Sequence, residues 1–282
     1  MPDNHPLHNS VAQVAEGVRT GQVSAVSVIE RTLERIDRLD TIGPDGTPDT
    51  AIRSIVHRDD DAAVARAARI DAAVAAGDAG EVAALGPLAG VPTTVKDLFA
   101  VAGQPHARAS LAFDDTPATT TDLPVAAALA AGLVQVGRAA APELGMTTSC
   151  ESDRFGVTRN PWDPTRSPGG SSGGSAASVA AGLVPVAIAS DGGGSIRVPA
   201  AFCGVVGLKP TRGLVPSRTQ GWAGGASAGA ITRTVADAAL VHDHLTRRDP
   251  HGWNPRPITP ASAATPSPTP SRAPPRSSAS AS

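Results

Sequence analysis

Apolar residues recur at helical spacing along the first part of the chain. The first series is Val11, Val14 and Val18, and the second is Val26, Ile29, Leu33 and Ile36. Residues 20–24 interrupt the pattern with the turn sequence Thr-Gly-Gln-Val-Ser. Spacing of three and four residues places such positions on one helical face, so we predict two helices joined by a turn, with Ser24 capping the second. Residues 59–85 return to an alanine-rich helical pattern that predicts further helices.

Short apolar runs alternate with helical segments from residue 86 onward. A turn-rich stretch leads into a β-type run that ends at Lys96. Beyond it the pattern predicts helices over 122–132 and 175–181, strands over 133–137 and 183–189, and a new helix starting at Ser195. This alternation predicts an α/β fold, with a layered mixed β-sheet flanked by helices.

The alternating pattern ends near Arg248. From Asn254 to Ser282 nearly every residue is Pro, Ser, Ala, Thr or Arg, and Ile258 is the only large apolar side chain. Such a composition cannot bury a core, so we predict one domain over 1–248 and a disordered Pro/Ser/Ala-rich tail over 249–282. The abrupt switch suggests a truncated or frame-shifted product, which translating the other reading frames beyond codon 248 would test.

Composition narrows the class of protein. The chain has 282 residues, 41% of them apolar, and a formal net charge of −2, so it can bury a core and we expect no nucleic-acid partner. No secretory signal is apparent in the sequence, and no apolar run reaches the roughly 18 residues that span a membrane, so we expect a cytoplasmic protein without a membrane partner. Cys150 and Cys203 are interpreted as small buried hydrophobes, and the His and Cys spacing predicts neither a metal site nor a cofactor.

Two glycine-rich segments, 167–175 and 191–197, each contain a serine set in glycine. A flexible linker is disfavoured because the first segment lies inside the domain pattern. A phosphate-binding loop is disfavoured because the G-x-x-x-x-G-K-[ST] pattern requires a lysine that is absent here. Residues 169–173 match the G-x-S-x-G nucleophile elbow, but the stretch before them contains three prolines instead of the required buried strand.

A lysine and two serines fit the pattern better. A serine hydroxyl is a weak nucleophile unless a base takes its proton, and a desolvated, neutral lysine can be that base. Lys96 ends an apolar strand, where an ammonium group is costly to bury. Lys96, Ser171 and Ser195 would then supply the base, the relay and the nucleophile. Close backbone N–H groups in glycine loops also suit an oxyanion.

The motifs around these residues occur in a specific order. They cover residues 90–97, 160–163, 169–177, 191–200, 203–211 and 231–237. Gly169-Gly-Ser-Ser-Gly-Gly-Ser-Ala-Ala177 and Asp191-Gly-Gly-Gly-Ser-Ile-Arg197 carry the strongest likeness. Together the motifs resemble the amidase signature family. The resemblance implies a hydrolase that cleaves carboxylic amides to the acid and ammonia or an amine through a serine acyl-enzyme.

The resemblance also assigns roles to residues. Lys96 would be the base, Ser171 the bridging serine on a cis peptide bond, and Ser195 the nucleophile. The backbone N–H groups of Gly192, Gly193 and Gly194, with that of Ser195, would form the oxyanion hole. Asp191 and Arg197 would brace the loop. Met146 and Cys150 resemble positions that line the family's substrate channel.

The chain departs from the family in length. Family members are usually much longer, so the resemblance implies an amidase signature fold that is incomplete at the C-terminus. Three functions stay open: an amidase acting on a small-molecule amide, an inactive truncated amidase-like protein, and a glutaminase-like subunit of a tRNA-dependent amidotransferase, which would need partner subunits. A homodimer also stays open. Aromatic residues form only 2% of the chain, so we expect no large aromatic-lined pocket.

Overall fold

A mixed β-sheet forms the centre of the protein. The computed structural model describes residues 10–40, 51–218, 221 and 224–246, so the tail predicted over 249–282 lies outside the described residues. The strands are β1 (Ile55–His57), β2 (Pro92–Lys96), β3 (Val134–Ala139), β4 (Glu151–Ser152), β5 (Gly156–Val157), β6 (Val186–Asp191), β7 (Val206–Leu208) and β8 (Ser227–Thr232). Six of them pair in the order β1-β3-β2-β6-β8-β7, and β4 and β5 form a separate ribbon.

The three central strands run parallel. β2 pairs in parallel with β3 on one side and with β6 on the other. β1 is antiparallel to β3, and β8 is antiparallel to both β6 and β7. All five residues of β2 are buried, as a strand covered on both faces requires. The predicted mixed sheet is therefore confirmed.

Helices cover the sheet. They are α1 (Val11–Arg19), α2 (Ala25–Leu39), α3 (Asp60–Ala76), α4 (Ala79–Ala84), α5 (Leu123–Ala130), α6 (Gly173–Ala180), α7 (Arg197–Cys203) and α8 (Val235–Leu245). The predicted cap of α2 is present, because the Ser27 N–H donates to Ser24 Oγ at 3.2 Å. Within the described residues, no helix combines the length and apolar character needed to cross a bilayer.

The structure refines two of the predicted boundaries. The alanine-rich helical pattern over 59–85 divides into two helices, because Gly77 takes a left-handed conformation at φ 69° and ends α3. Asp78 then caps α4 through the N–H groups of Gly80 and Glu81. The strand predicted over 183–189 begins three residues later, at Val186, and continues to Asp191. This extension carries β6 up to the second glycine loop.

Arginines from the N-terminal helices fix the ends of the helices that follow. Arg35 donates to the carbonyl oxygen of Ala181, just after α6, at 2.7 and 3.2 Å. Arg66 donates to the carbonyls of Leu129 and Leu133 at 2.6 and 3.2 Å, at the end of α5. Terminal carbonyls of a helix lack intrahelical partners, so these contacts tie α2 and α3 to the layer that holds the site.

Candidate active site

Lys96 is the last residue of β2, and its side chain is fully buried. Its Nζ atom lies 2.8 Å from Ser171 Oγ. Nζ also lies 3.2 Å from Ser190 Oγ and 3.5 Å from the Ser190 carbonyl oxygen. The amine therefore sits between the first glycine loop and the end of β6, within reach of three oxygen atoms.

Burial controls the charge of this amine. Removal from water lowers the pKa of Lys96 from 10.5 to about 7, and the nearby Cys150 and Asp191 oppose that fall only in part. Desolvation disfavours the charged form of an amine. A large fraction of Lys96 is consequently neutral near pH 7, and a neutral amine can accept a proton from the adjacent hydroxyl.

The first glycine loop presents Ser171 to the lysine. The peptide bond between Gly170 and Ser171 is cis, and Ser171 is almost completely buried. A β-carbon on Gly170 would lie 2.2 Å from the Ser149 carbonyl oxygen, and one on Gly174 would lie 2.3 Å from the Ala140 nitrogen. Only glycine allows such close backbone approach, which explains the glycine pattern around the serine.

Ser195 contacts the residue that follows Ser171 through the backbone. The Ser172 N–H donates to the Ser195 carbonyl oxygen at 3.2 Å, and Ser172 Oγ donates to the Ser190 carbonyl oxygen at 3.2 Å. Ser195 itself is partly exposed. Lys96 and Ser171 are thus in direct contact in the interior, and the partly exposed Ser195 is linked to their loop through the Ser172 N–H.

Asp191 organises the second glycine loop. Its carboxylate accepts the N–H groups of Gly194 at 2.8 Å and Ile196 at 3.1 Å. Arg197 Nε and Nη2 each donate to it at 2.9 Å. Burial alone would raise the pKa of Asp191, but the guanidinium and these N–H groups outweigh burial and lower it to about 2. The carboxylate is therefore charged throughout the neutral range and braces the loop.

The three glycines predicted as oxyanion donors differ in their surroundings. Gly192 and Gly193 are exposed, whereas Gly194 is buried with φ 127°. The Gly194 N–H already donates to Asp191, so it is not free to donate to an oxyanion. The N–H groups of Gly192, Gly193 and Ser195 stay candidates.

Met146 and Cys150 lie in different places. Met146 is 63% exposed and lines a surface cavity of about 740 Å³ together with Leu144 and Val157. Cys150 is buried behind the serine loop, where its Sγ donates to the Ala140 carbonyl at 3.4 Å. Cys203 is also buried and free, so the interpretation of both cysteines as buried small residues is confirmed. Cys150 faces the loop and does not line this cavity.

Sequence reasoning missed two features beside Lys96. Ser190 contacts the amine only because β6 pairs with β2, and no local motif predicts that pairing. Arg138 is fully buried and lies 3.5 Å from the carboxylate of Asp97. An arginine inside a short apolar strand could have indicated a buried ion pair, since buried arginines are rare unless they are paired.

The site thus combines a buried lysine–serine contact and two glycine loops on a mixed sheet flanked by helices. The chain belongs to the Amidase family, whose match spans residues 30–275. It is similar in fold to a bacterial aryl acylamidase of the amidase signature family, with a TM-score of 0.77 and 34% identity, covering 89% of this chain and 50% of that one.

Other relatives carry different functional names. The peptide amidase from Stenotrophomonas maltophilia matches with a TM-score of 0.73 and 32% identity, over 92% of this chain and 50% of that chain. A Glutamyl-tRNA(Gln) amidotransferase subunit from Thermobifida fusca is 40% identical over 248 residues, which is 86% of this chain and 47% of that protein. The chain thus spans about half the length of the relatives it matches.

Proposed function

We propose that this protein hydrolyses small carboxylic amides through a serine acyl-enzyme, with Lys96, Ser171 and Ser195 as its Ser-cisSer-Lys triad. The observation that carries the proposal is the 2.8 Å contact between Lys96 Nζ and Ser171 Oγ. The lysine in this contact has a pKa of about 7 because it is buried. An acceptor with a pKa near the working pH suits proton transfer in both directions.

Acylation follows from the order of the three groups. Neutral Lys96 takes the proton of Ser171 while Ser171 takes the proton of Ser195, and Ser195 Oγ bonds to the amide carbonyl carbon. The N–H groups of Gly192, Gly193 and Ser195 stabilise the oxyanion, each contributing about 3 kcal/mol in comparable sites. The C–N bond then breaks as the relay returns a proton to the departing nitrogen.

Deacylation uses the same relay. Water attacks the acyl carbon while its proton passes through Ser171 to Lys96, and the bond from the carbon to Ser195 Oγ breaks. Ser195 regains a proton and the carboxylic acid leaves. The enzyme returns to its starting state with no cofactor in either half of the cycle.

Single-serine variants test the assignment. Ammonia release from simple primary amides and nitroaniline release from p-nitroacetanilide are measured for the wild type and for Ser195→Ala and Ser171→Ala. We expect each variant to lose at least about 1,000-fold in kcat/KM, as loss of a nucleophile or its relay does elsewhere. Ser27→Ala, on α2, is the matched control and should keep full activity. Activity unchanged in Ser195→Ala would refute the catalytic assignment.

A glutaminase-like subunit of an amidotransferase is the second candidate, favoured by the 40% identity to a protein with an amidotransferase name. This function would show as glutamine hydrolysis that depends on copurifying partner subunits. Stand-alone hydrolysis of simple amides favours the amidase instead. An inactive amidase-like protein would release ammonia from neither substrate class, with or without partners.

A further inference from the structure

Arg138 is a buried cation that the proposed mechanism does not use. It lies on β3 opposite Val95 of β2, one residue before Lys96, and its side chain is fully buried. Its Nη2 atom lies 3.5 Å from the carboxylate of Asp97. The same atom donates to the carbonyl oxygen of Phe99. One guanidinium therefore holds two points of the turn that follows the lysine.

The Arg138–Asp97 pair is a poor source of stability. Nε and Nη1 of Arg138 find no hydrogen-bond partner among the described residues, and 3.5 Å is longer than a charge-assisted hydrogen bond. A buried ion pair recovers its desolvation cost only with good geometry and complete hydrogen bonding. The ion pair by itself therefore adds little stability, and its contacts with backbone groups point to a role in holding the loops.

Asp97 extends the contact toward the serine loop. Its Oδ2 atom accepts the N–H of Ala109 at 3.1 Å. The carbonyl of Arg108, the residue before it, accepts the N–H of Leu144 at 3.0 Å. The glycine after Leu144 packs against Ser171 so closely that an added β-carbon would lie 3.3 Å from Ser171 Oγ. A continuous set of contacts thus runs from Arg138 to both partners of the lysine–serine contact.

The loops along this path have strained backbones. Arg108, Ala109 and Leu144 have φ angles of 53°, 56° and 52°, a region that residues with a β-carbon rarely occupy. Such conformations persist only where surrounding contacts enforce them. The hydrogen bonds between Asp97 and Ala109 and between Arg108 and Leu144 are contacts of this kind.

We propose that Arg138 and Asp97 are positioning residues. Their ion pair is a clamp that holds the turn after Lys96 and the strained loop beside Ser171 in place. This keeps Lys96 Nζ close to Ser171 Oγ and excludes water from the contact. The proposal rests on the proposed function, since it concerns the same site. Relaxing the clamp admits water to Nζ. Because burial is the main cause of the lowered pKa of Lys96, that pKa then rises.

The other titratable groups near this path are unchanged in the test. Cys150 and Asp191 act on Lys96, Asp122 acts on Arg138, and His106 acts on Asp97. Arg138→Lys keeps the buried cation but removes the planar fork that spans the turn. Arg66→Lys is the matched control, because Arg66 also donates to two backbone carbonyls, at the end of α5.

NMR of labelled lysine measures the pKa of Lys96 directly and so tests the positioning role without relying on activity. Wild-type protein has two lysines, Lys96 and Lys209, so labelled lysine gives two signals that Lys209→Arg assigns. Arg138→Lys and Arg66→Lys each add a third signal, and Lys96→Met in the same background identifies the signal of Lys96. We expect Arg138→Lys to raise the pKa of Lys96 by about one unit relative to wild type, a tenfold change in proton affinity. Arg66→Lys should leave it unchanged. Equal Lys96 titrations in all three proteins would overturn the proposal.

A double variant tests the clamp without either charge. Asp97→Leu combined with Arg138→Met removes the ion pair together with its contacts to the Ala109 N–H and the Phe99 carbonyl, and urea unfolding first establishes that this variant is folded. If the pair positions the lysine, the folded variant shows a raised Lys96 pKa and a kcat reduced on the order of tenfold with KM unchanged. A folded double variant with wild-type kcat and wild-type Lys96 titration would overturn the positioning role.

The two proposals fail in distinguishable ways. Hydrolysis that survives Ser195→Ala refutes the proposed function, yet the NMR comparison of Arg138→Lys with Arg66→Lys still decides the positioning role. Hydrolysis that requires Ser195 but has the same kcat and pH midpoint in Arg138→Lys and wild type refutes only the positioning role.

Discussion

Replacing Lys96 with methionine should make the stability of this protein depend less on pH. In the unfolded chain the amine stays protonated up to about pH 10.5, whereas in the folded protein its pKa is about 7 because it is buried. Between these values the unfolded state holds one more proton, so the free energy of unfolding of the wild type rises with pH. Methionine has a similar length and no charge, so the variant lacks this contribution.

The pKa difference sets the size of the effect. A fall from 10.5 to about 7, at about 1.4 kcal/mol for each pKa unit, amounts to about 5 kcal/mol. This deficit of the wild type is fully present below pH 7 and disappears as the pH rises through 10.5. Relative to Lys96→Met, the wild type should gain about 1.4 kcal/mol for each pH unit between about pH 7.5 and 9.5.

Urea unfolding at about pH 7.5, 8.5 and 9.5 measures this difference, because all other titrating groups are shared by the two proteins. Lys209→Met is the control for the loss of one cation outside the buried site. The same samples should show that Lys96→Met has lost amide hydrolysis at every pH. If the stability difference between the variant and the wild type is the same at all three pH values, the lysine is not a neutral buried base and the reasoning is refuted.

Two further predictions concern the contacts around the triad. Ser190→Ala removes a hydroxyl 3.2 Å from Lys96 Nζ and should lower kcat/KM on the order of tenfold. The control Ser190→Thr keeps the hydroxyl and should keep most of the activity. Equal kinetics of Ser190→Ala and wild type would show that this hydroxyl does not assist the lysine. Gly174→Ala places a β-carbon 2.3 Å from the Ala140 nitrogen and should lower the free energy of unfolding by about 3 kcal/mol or more. The control Gly193→Ala meets nothing within 4 Å, so its free energy of unfolding should stay within about 1 kcal/mol of wild type. Similar melting temperatures for the two variants would show that the first loop is not tightly packed.

Local patterns in the sequence determined which segments form helices and strands. The apolar spacing of α1 and α2, the cap at Ser24 and the strand that ends at Lys96 were all predicted correctly. Side-chain periodicity within one element depends on neighbours in the chain, so it can be read without the fold. The alanine-rich composition of 59–85 predicted helices but not where the first one ends, because that boundary depends on one glycine adopting a left-handed conformation.

The motifs singled out Lys96, Ser171 and Ser195, because a serine among glycines or a lysine in an apolar run can be recognised from its sequence neighbours alone. The sequence could not show that Ser190 reaches the lysine, that the Gly194 N–H is taken by Asp191, or that Arg138 is buried against Asp97. Each of these contacts joins residues whose separation or orientation is set by strand pairing and loop closure.

The sequence is enough to identify the two glycine and serine loops, their order and the lysine at the end of a strand, since each motif is contiguous. Only the folded structure shows how completely the lysine is removed from water and which atoms surround it. Its pKa depends on the pairing of β2 with β3 and β6 and on the packing of α6 above them. Burial is a property of the whole fold, and it converts an ordinary ammonium group into an amine that can accept a proton near pH 7.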